Sequence, residues 1–292
     1  MTKGPTYTNK FDIPDELFRI LTEGRYPPKK HRFGVVSLVS PYRQRELERR
    51  YWNDLVIDAS QLIYMLMGRA FHLVAQQAGG SNALIEQKLE LKLGKIELVG
   101  KPDRVEGDLL KDYKTTSVWA AIRGVSPEWT AQMNVYSYLL KRCLGVHTSK
   151  CMAVAYFRDW SINKAKQGGN YPQCALSTFT VPHWPYSQTE EFIKERVEGH
   201  IAAQALSSDN LPLCTDSETW RKESKWAVMK KGIKNAKRVL DTQKEAEDWI
   251  TEHVDSKTPE SAFHIEERLG ETPRCNDYCF VKQYCSQFAE EQ

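Results

Sequence analysis

No stretch of this 292-residue chain approaches eighteen consecutive apolar residues, so no membrane-spanning helix is expected. Its start, MTKGPTYTNK, has no apolar run, which argues against a secretory signal. Charge of one sign is also scarce. The net value is only +3, from 41 basic and 38 acidic residues, so any footprint for a polyanion must be local. Cysteines are few and irregular: there are seven, an odd count, and none precedes Cys143. A disulfide framework is therefore not expected. Without export, a reducing cytoplasm is the simplest compartment, and clustered cysteines there point to metal. The remainder is ordinary for a soluble globular protein, 41% hydrophobic and 27% charged, and long enough to bury a sizeable core.

The informative stretch is residues 100–116, GKPDRVEGDLLKDYKTT. It reads as two short strands joined by the polar turn Glu106-Gly107-Asp108. Side chains alternate along a strand, so Asp112 and Lys114 share one face and Tyr113 takes the other. Asp103, on the partner strand, comes opposite them when the hairpin closes. Two carboxylates that converge repel each other and are costly to bury unpaired, so they call for a cation. Hard oxygen ligands in small number suit Mg²⁺ or Mn²⁺. A neighbouring lysine can orient or deprotonate an attacking water, or stabilise developing phosphorane charge. Asp and Lys two apart are also common surface pairs, and Pro-Asp is common in turns, so these residues alone leave catalysis and a plain hairpin both open.

Pro102-Asp103, eight residues, then Asp112-Tyr113-Lys114 resembles the signature of the PD-(D/E)xK nuclease superfamily. Four further features resemble its RecB-like branch, which includes CRISPR-associated adaptation nucleases and many phage exonucleases. They are Gly68-x3-His72, the Gly100-x-x-Asp103-Arg104-Val105 strand, Gln132-x3-Tyr136, and clustered C-terminal cysteines. The resemblance covers residues 37–157 and the cysteine tail. It implies an α/β, restriction-endonuclease-like core, a mixed central sheet flanked by helices, with a cysteine-clustered C-terminal appendage. It further implies His72, Asp103 and Asp112 as ligands of catalytic Mg²⁺ or Mn²⁺, the Tyr113 carbonyl as a further one, and Lys114 as the catalytic lysine. Gln132 and Tyr136 are implied to contact substrate or position that lysine; a hydrogen-bonded core pair explains them equally.

Along the chain, residues 1–35 show little periodicity and read as an arm or short cap. The stretch 35–42 resembles the strand-and-helix beginning of RecB-like cores, with a serine as helix cap. Residues 61–77 predict a helix, with Leu62, Met65, Leu66, Ala70, Leu73 and Val74 at helical spacing. Gly68 and His72 lie on one face, and a glycine there suggests close approach of the sheet or a substrate. Residues 86–93 read as the hairpin's outer strand, with Glu86 and Glu90 more simply on a solvated face than as an outer-shell carboxylate of the site. Arg104 and Lys101 can meet the scissile phosphate or serve as counter-charges for the acids. Residues 128–142 form a second amphipathic helix, started at Ser126-Pro127 and ended by Gly145. Residues 150–157 follow as a buried strand. A Gly-rich turn at 167–170 carries Trp160, Tyr171 and Trp184 nearby, for base stacking or for packing. Residues 190–205 close the core as a helix, giving a nuclease domain over 36–206.

Composition shifts in 207–292, a basic, cysteine-containing module. Residues 220–238 hold eight basic residues against one acid, with Trp220 and Trp226 interleaved; this reads as a phosphate-tracking groove or as a solvated face. An acidic helix over 242–253 and a strand over 262–268 follow. Cys275-x3-Cys279-x5-Cys285 supplies three sulfurs, and Cys214 is the expected fourth for a tetrahedral site. Iron–sulfur members of the branch place a cysteine before the histidine motif and space the tail differently, so Zn²⁺ and a [4Fe–4S] cluster both remain open as the structural group. Cys143, Cys151 and Cys174 are expected in the core.

The implied activity is a metal-dependent deoxyribonuclease, expected as an exonuclease of recombination, repair or end processing in a bacterial or phage-infected cell. Its partners would be single- or double-stranded DNA and a recombinase, helicase or single-strand-binding protein. The alternative is a non-catalytic DNA-binding or assembly subunit that keeps the fold.

Overall fold

A computed structural model describes residues 4–79, 82–254 and 259–290. The chain is α/β, with mixed sheets flanked by helices. It divides into two compact units, residues 1–212 with 283–286, and residues 213–282 with 287–292.

The first unit is built on the hairpin. Glu106 and Leu109 are paired, so Gly107 and Asp108 form a two-residue turn with Gly107 at φ 59°, a conformation that favours glycine. The five strands of its main sheet are β1 (Ala83–Ile85), β2 (Arg104–Glu106), β3 (Leu109–Thr116), β4 (Lys150–Phe157) and β5 (Leu176–Val181). They run in the order β5-β4-β3-β2-β1. Only β3 and β4 are parallel, a pairing that requires a crossover. That crossover contains the helix α2 (Pro127–Leu144); the other helix that bears on the site is α1 (Ile63–Gln77).

Local chemistry explains the bounds of α2. The Ser126 side chain accepts from Trp129 N at 3.1 Å, and Pro127 occupies the first turn, where its missing N–H costs nothing. At the other end Gly145 adopts φ 70°, and its N–H reaches the Lys141 carbonyl at 3.1 Å. Its inner face, with Met133, Val135, Tyr136 and Leu139, packs in one core with Leu110, Cys151 and Ala153 of the sheet. The close approach continues at Gly100, where a Cβ would sit 2.7 Å from Leu139 Cδ1 and 3.0 Å from Val35 Cγ2. Leu139 is fully buried and has nowhere to go. Gly100→Ala is therefore expected to lower stability by about 1–3 kcal/mol through overpacking, read as a drop in the urea midpoint at constant slope.

Several expectations need correction here. The strand next to the hairpin is β1, not residues 86–93. Leu89–Leu93 pairs with Ile96–Gly100, which pairs with Arg32–Gly34 in a separate three-stranded sheet. Of the expected arm or short cap, two segments are tied in as strands: Thr6–Thr8 pairs in parallel with Val56–Asp58, and Arg32–Gly34 belongs to that second sheet. Short, aperiodic strands such as these take their conformation from long-range partners, so periodicity does not reveal them. No serine side chain caps the helices beginning at Val35 and Tyr42; Ser37 Oγ instead accepts from Arg45 at 2.8 Å.

In the first unit, the guanidinium of Arg43 is buried and holds the returning segment 283–286. It donates to the carbonyls of Asp209, Leu211 and Pro212 and to Ser286 Oγ, and lies 3.9 Å from Cys285 Sγ. Tyr284 stacks on Tyr51 at 4.2 Å in the same unit.

The second unit has its own small core. Arg238–Leu240, Lys225–Lys230 and Phe263–Arg268 form an antiparallel sheet. The helix Gln243–His253 packs on it through Ala246 and Ile250 against Val228. Thr242 and Glu245 cap that helix reciprocally. No helix among the described residues is long and apolar enough to cross a membrane.

Candidate active site

The hairpin, α1 and α2 bring most of the anticipated residues together. Asp103 immediately precedes β2, and its Oδ2 accepts from the backbone N–H of Tyr113 at 2.6 Å across the hairpin. Its other oxygen lies 3.1 Å from His72 Nδ1. His72 Nε2 is 2.8 Å from the Tyr113 carbonyl oxygen. The hydrogen bond that His72 donates to Asp103 holds the imidazole's pKa above its ordinary value, against the opposing effect of burial.

Asp112 and Lys114 point to the α2 side, as alternation requires. Asp112 is 2% exposed, and burial raises its carboxyl pKa while Lys114 opposes the rise. Its Oδ2 lies 2.6 Å from Lys114 Nζ in an ion pair. Gln132 on α2 organises this pair. Its Oε1 accepts from Lys114 Nζ at 2.6 Å, and its Nε2 reaches Asp112 Oδ1 at 3.5 Å and the Tyr136 hydroxyl at 3.3 Å. Residues 132 and 136 lie one turn apart on the same face, and burial raises the Tyr136 phenol above its ordinary pKa. Gln132 thus positions the lysine, with Tyr136 behind it.

The donor set fits a hard divalent cation. One imidazole and the carboxylates of two residues converge, and hard oxygen donors of this kind suit such an ion. His72, Glu86 and Asp103 each offer an atom within 4.8 Å of the others'. Glu86 therefore does not lie on a solvated strand face as expected. It holds Gln76 through Oε1 and Lys101 through Oε2. Gln76 is four residues after His72, so one face of α1 carries both; that spacing was the available signal. Glu90, in contrast, pairs with Lys88 and Arg32 as a solvated side chain.

Arg104 is not at the phosphate side of the site. Its guanidinium is buried, donating to the carbonyls of Ala78 and Gly79 at 2.9 and 3.0 Å and to Glu106 at 2.6 Å. It satisfies the orphan carbonyls at the end of α1, a role suited to a fork of donors. Arg104→Met is expected to cost about 2–3 kcal/mol of stability and to leave the rate per folded molecule unchanged. Denaturant unfolding beside activity titrated to folded protein separates the two effects.

Other anticipated residues are dispersed. At Gly68 a Cβ would meet nothing within 4 Å, so close approach of the sheet does not explain that glycine. Leu73 and Val74 are exposed, and α1 buries none of its side chains fully. Trp160 and Tyr171 pack at the edge of a cluster with Val118, Ala155 and Phe157, and Trp184 packs on Phe192. In the second unit, Lys231, Lys234 and Lys237 lie exposed on the segment between two strands, whereas Lys222 and Lys225 pair with Glu271 and Asp241. Trp226 packs into that unit's core. Cys143, Cys151, Cys174 and Cys285 form no disulfide. Cys214, Cys275 and Cys279 belong to the second unit and Cys285 to the first; Gln287 brackets the Cys214 backbone with two hydrogen bonds. Cys151 is buried and Cys143 half-buried, but Cys174 is exposed, because it lies in the irregular segment before β5 rather than on a strand.

No family model matches the chain, and no curated protein does. Among solved structures, three chains match. One, described as "Crystal structure of SSO0001", is similar over 63% of this chain and 81% of its own, at 15% identity and a TM-score of 0.42.

Proposed function

We propose that this protein is a metal-dependent deoxyribonuclease of the PD-(D/E)xK type, with a restriction-endonuclease-like first unit, acting as an exonuclease on DNA ends. One observation carries the reading. Lys114 Nζ lies 2.6 Å from both Asp112 Oδ2 and Gln132 Oε1, beside a histidine–carboxylate pair 3.1 Å apart. A surface ion pair needs no such framework, and burying one costs desolvation that a catalytic role would justify.

His72, Asp103 and Asp112 would hold the ion. A divalent cation bound there supplies charge to polarise the phosphate and lower the pKa of a water. The protein's own groups then have separate tasks. Gln132 holds the Lys114 ammonium toward Asp112, limiting its rotamers. Lys114 orients the attacking water or meets the charge that develops on the phosphorane oxygens. The Asp103–Tyr113 N–H bond fixes the hairpin register, so both carboxylates stay on one site. The exposed lysines at 231, 234 and 237 support contact with a phosphate backbone.

The test is digestion of end-labelled linear and closed-circular DNA, single- and double-stranded, in Mg²⁺ or Mn²⁺. Release of label from linear DNA only, lost in Asp103→Ala, is the expected result. Cutting of circles as well makes the protein an endonuclease. If wild type and variant bind DNA equally and neither cuts, a non-catalytic DNA-binding subunit replaces this reading.

A further inference from the structure

Glu86 has features that a solvated strand end does not require. It is one of three non-glycine residues among those described with positive φ, at 48°, a conformation rare for a glutamate and retained only where surroundings dictate it. Its backbone N–H donates to the Asp103 carbonyl at 3.1 Å, tying the two acidic residues together. Its carboxylate offers an oxygen within 4.8 Å of donor atoms on His72 and Asp103. Oxygens bound to Mg²⁺ at about 2.1 Å stand about 3–4 Å from one another. Side-chain shifts of about 1 Å would therefore close the trio on an ion.

The partners of Glu86 fit a ligand better than a salt bridge. Gln76 donates to Oε1, the kind of contact by which outer residues orient a ligating carboxylate. Lys101 holds Oε2 and is 54% exposed, so its flexible stem can release the oxygen to water at little cost.

We propose that Glu86 is a further ligand of the catalytic cation, joining His72 and Asp103, and that Lys101 competes with the ion for the Glu86 carboxylate. The inference rests on the metal-dependent reading above and adds a residue to it. Binding would exchange an internal ammonium for a divalent ion at one oxygen. Occupancy of the site is then set partly by a lysine outside the Asp-x-Lys motif.

The experiment is titration of the full-length protein with Mn²⁺ alone, read by electron paramagnetic resonance of free ion and by calorimetry. It compares wild type, Glu86→Gln, Lys101→Met, the double variant and Asp103→Asn, each checked for folding by circular dichroism. Glu86→Gln is expected to weaken binding by at least about tenfold, and Lys101→Met to tighten it severalfold. In the Glu86→Gln background Lys101→Met should have no effect, because the competition acts through that carboxylate. If Asp103→Asn abolishes binding while Glu86→Gln leaves it unchanged, Glu86 is not a ligand and the nuclease reading stands. If Lys101→Met tightens binding equally in both backgrounds, its effect is diffuse charge and the competition is wrong. Wild type that binds no Mn²⁺ overturns this inference and the metal-dependent reading together.

Discussion

Lys114→Met is expected to slow single-turnover DNA cleavage by about 10²–10⁴-fold, the span typical of a lost proton-transfer or charge-stabilising group. That is about 3–5 kcal/mol of activation free energy. The substitution keeps the stem and removes the ammonium, so packing beside Gln132 is largely preserved. It also strands a carboxylate. Asp112 is 2% exposed, and its Oδ2 lies 2.6 Å from the Lys114 ammonium. Removing the ammonium it pairs with leaves a buried charge uncompensated, which is strongly destabilising. The variant should therefore be both slow and less stable in Mg²⁺-free buffer. Cleavage within about threefold of wild type, per folded molecule, would remove Lys114 from the mechanism.

Asp112→Asn is expected to lose at least about 10²-fold in cleavage through loss of a carboxylate ligand, yet to melt no lower than wild type, and higher where no metal is present. The two halves of one ion pair thus give opposite stability results. Asparagine removes the group that burial penalises, and an amide can still bond to Gln132. The stranded partner is then Lys114, which is 17% exposed in its side chain and hydrogen-bonded to Gln132. A four-carbon stem lets that ammonium reach water, whereas the short Asp112 side chain cannot leave the core. The measurement is thermal unfolding with and without Mn²⁺, beside the cleavage rate. A variant that keeps wild-type activity, or that is destabilised as much as Lys114→Met, contradicts this account. The double variant Lys114→Met/Asp112→Asn should recover stability without recovering cleavage, since the destabilising charge and the catalytic groups go together.

The same logic explains why this site sits where it does. A pair that costs stability persists where the two charges have work to do, and α2 holds it with a glutamine and a tyrosine rather than with neutralising side chains. Gln132→Ala would keep both charges but free the ammonium. Its loss should appear in the rate rather than in metal binding.

What the sequence by itself determined is local. Alternation along residues 109–116 put Asp112 and Lys114 on one face, and glycine at 107 made the two-residue turn. Ser126, Pro127 and Gly145 bounded α2, and residues four apart put Gln132 with Tyr136. Each of these follows from the rise and period of one element or from one turn, so nearby residues suffice to decide it. Tertiary structure alone decided the rest. Leu89–Leu93 turned from an expected hairpin neighbour into part of a different sheet, and β1 took the position beside Arg104–Glu106. Thr6–Thr8 and Arg32–Gly34 became strands only because Val56–Asp58 and Ile96–Gly100 were there to pair with them. Arg104, next to a site aspartate in sequence, turned to the end of α1 because unpaired carbonyls await it there. Glu86, seventeen residues before Asp103 and on no shared period, reached His72 and Asp103 through a left-handed backbone and a cross-strand hydrogen bond. Such partners are chosen by sheet order and by the ends of distant helices. Those are set by the packing of the whole unit, which no local pattern carries.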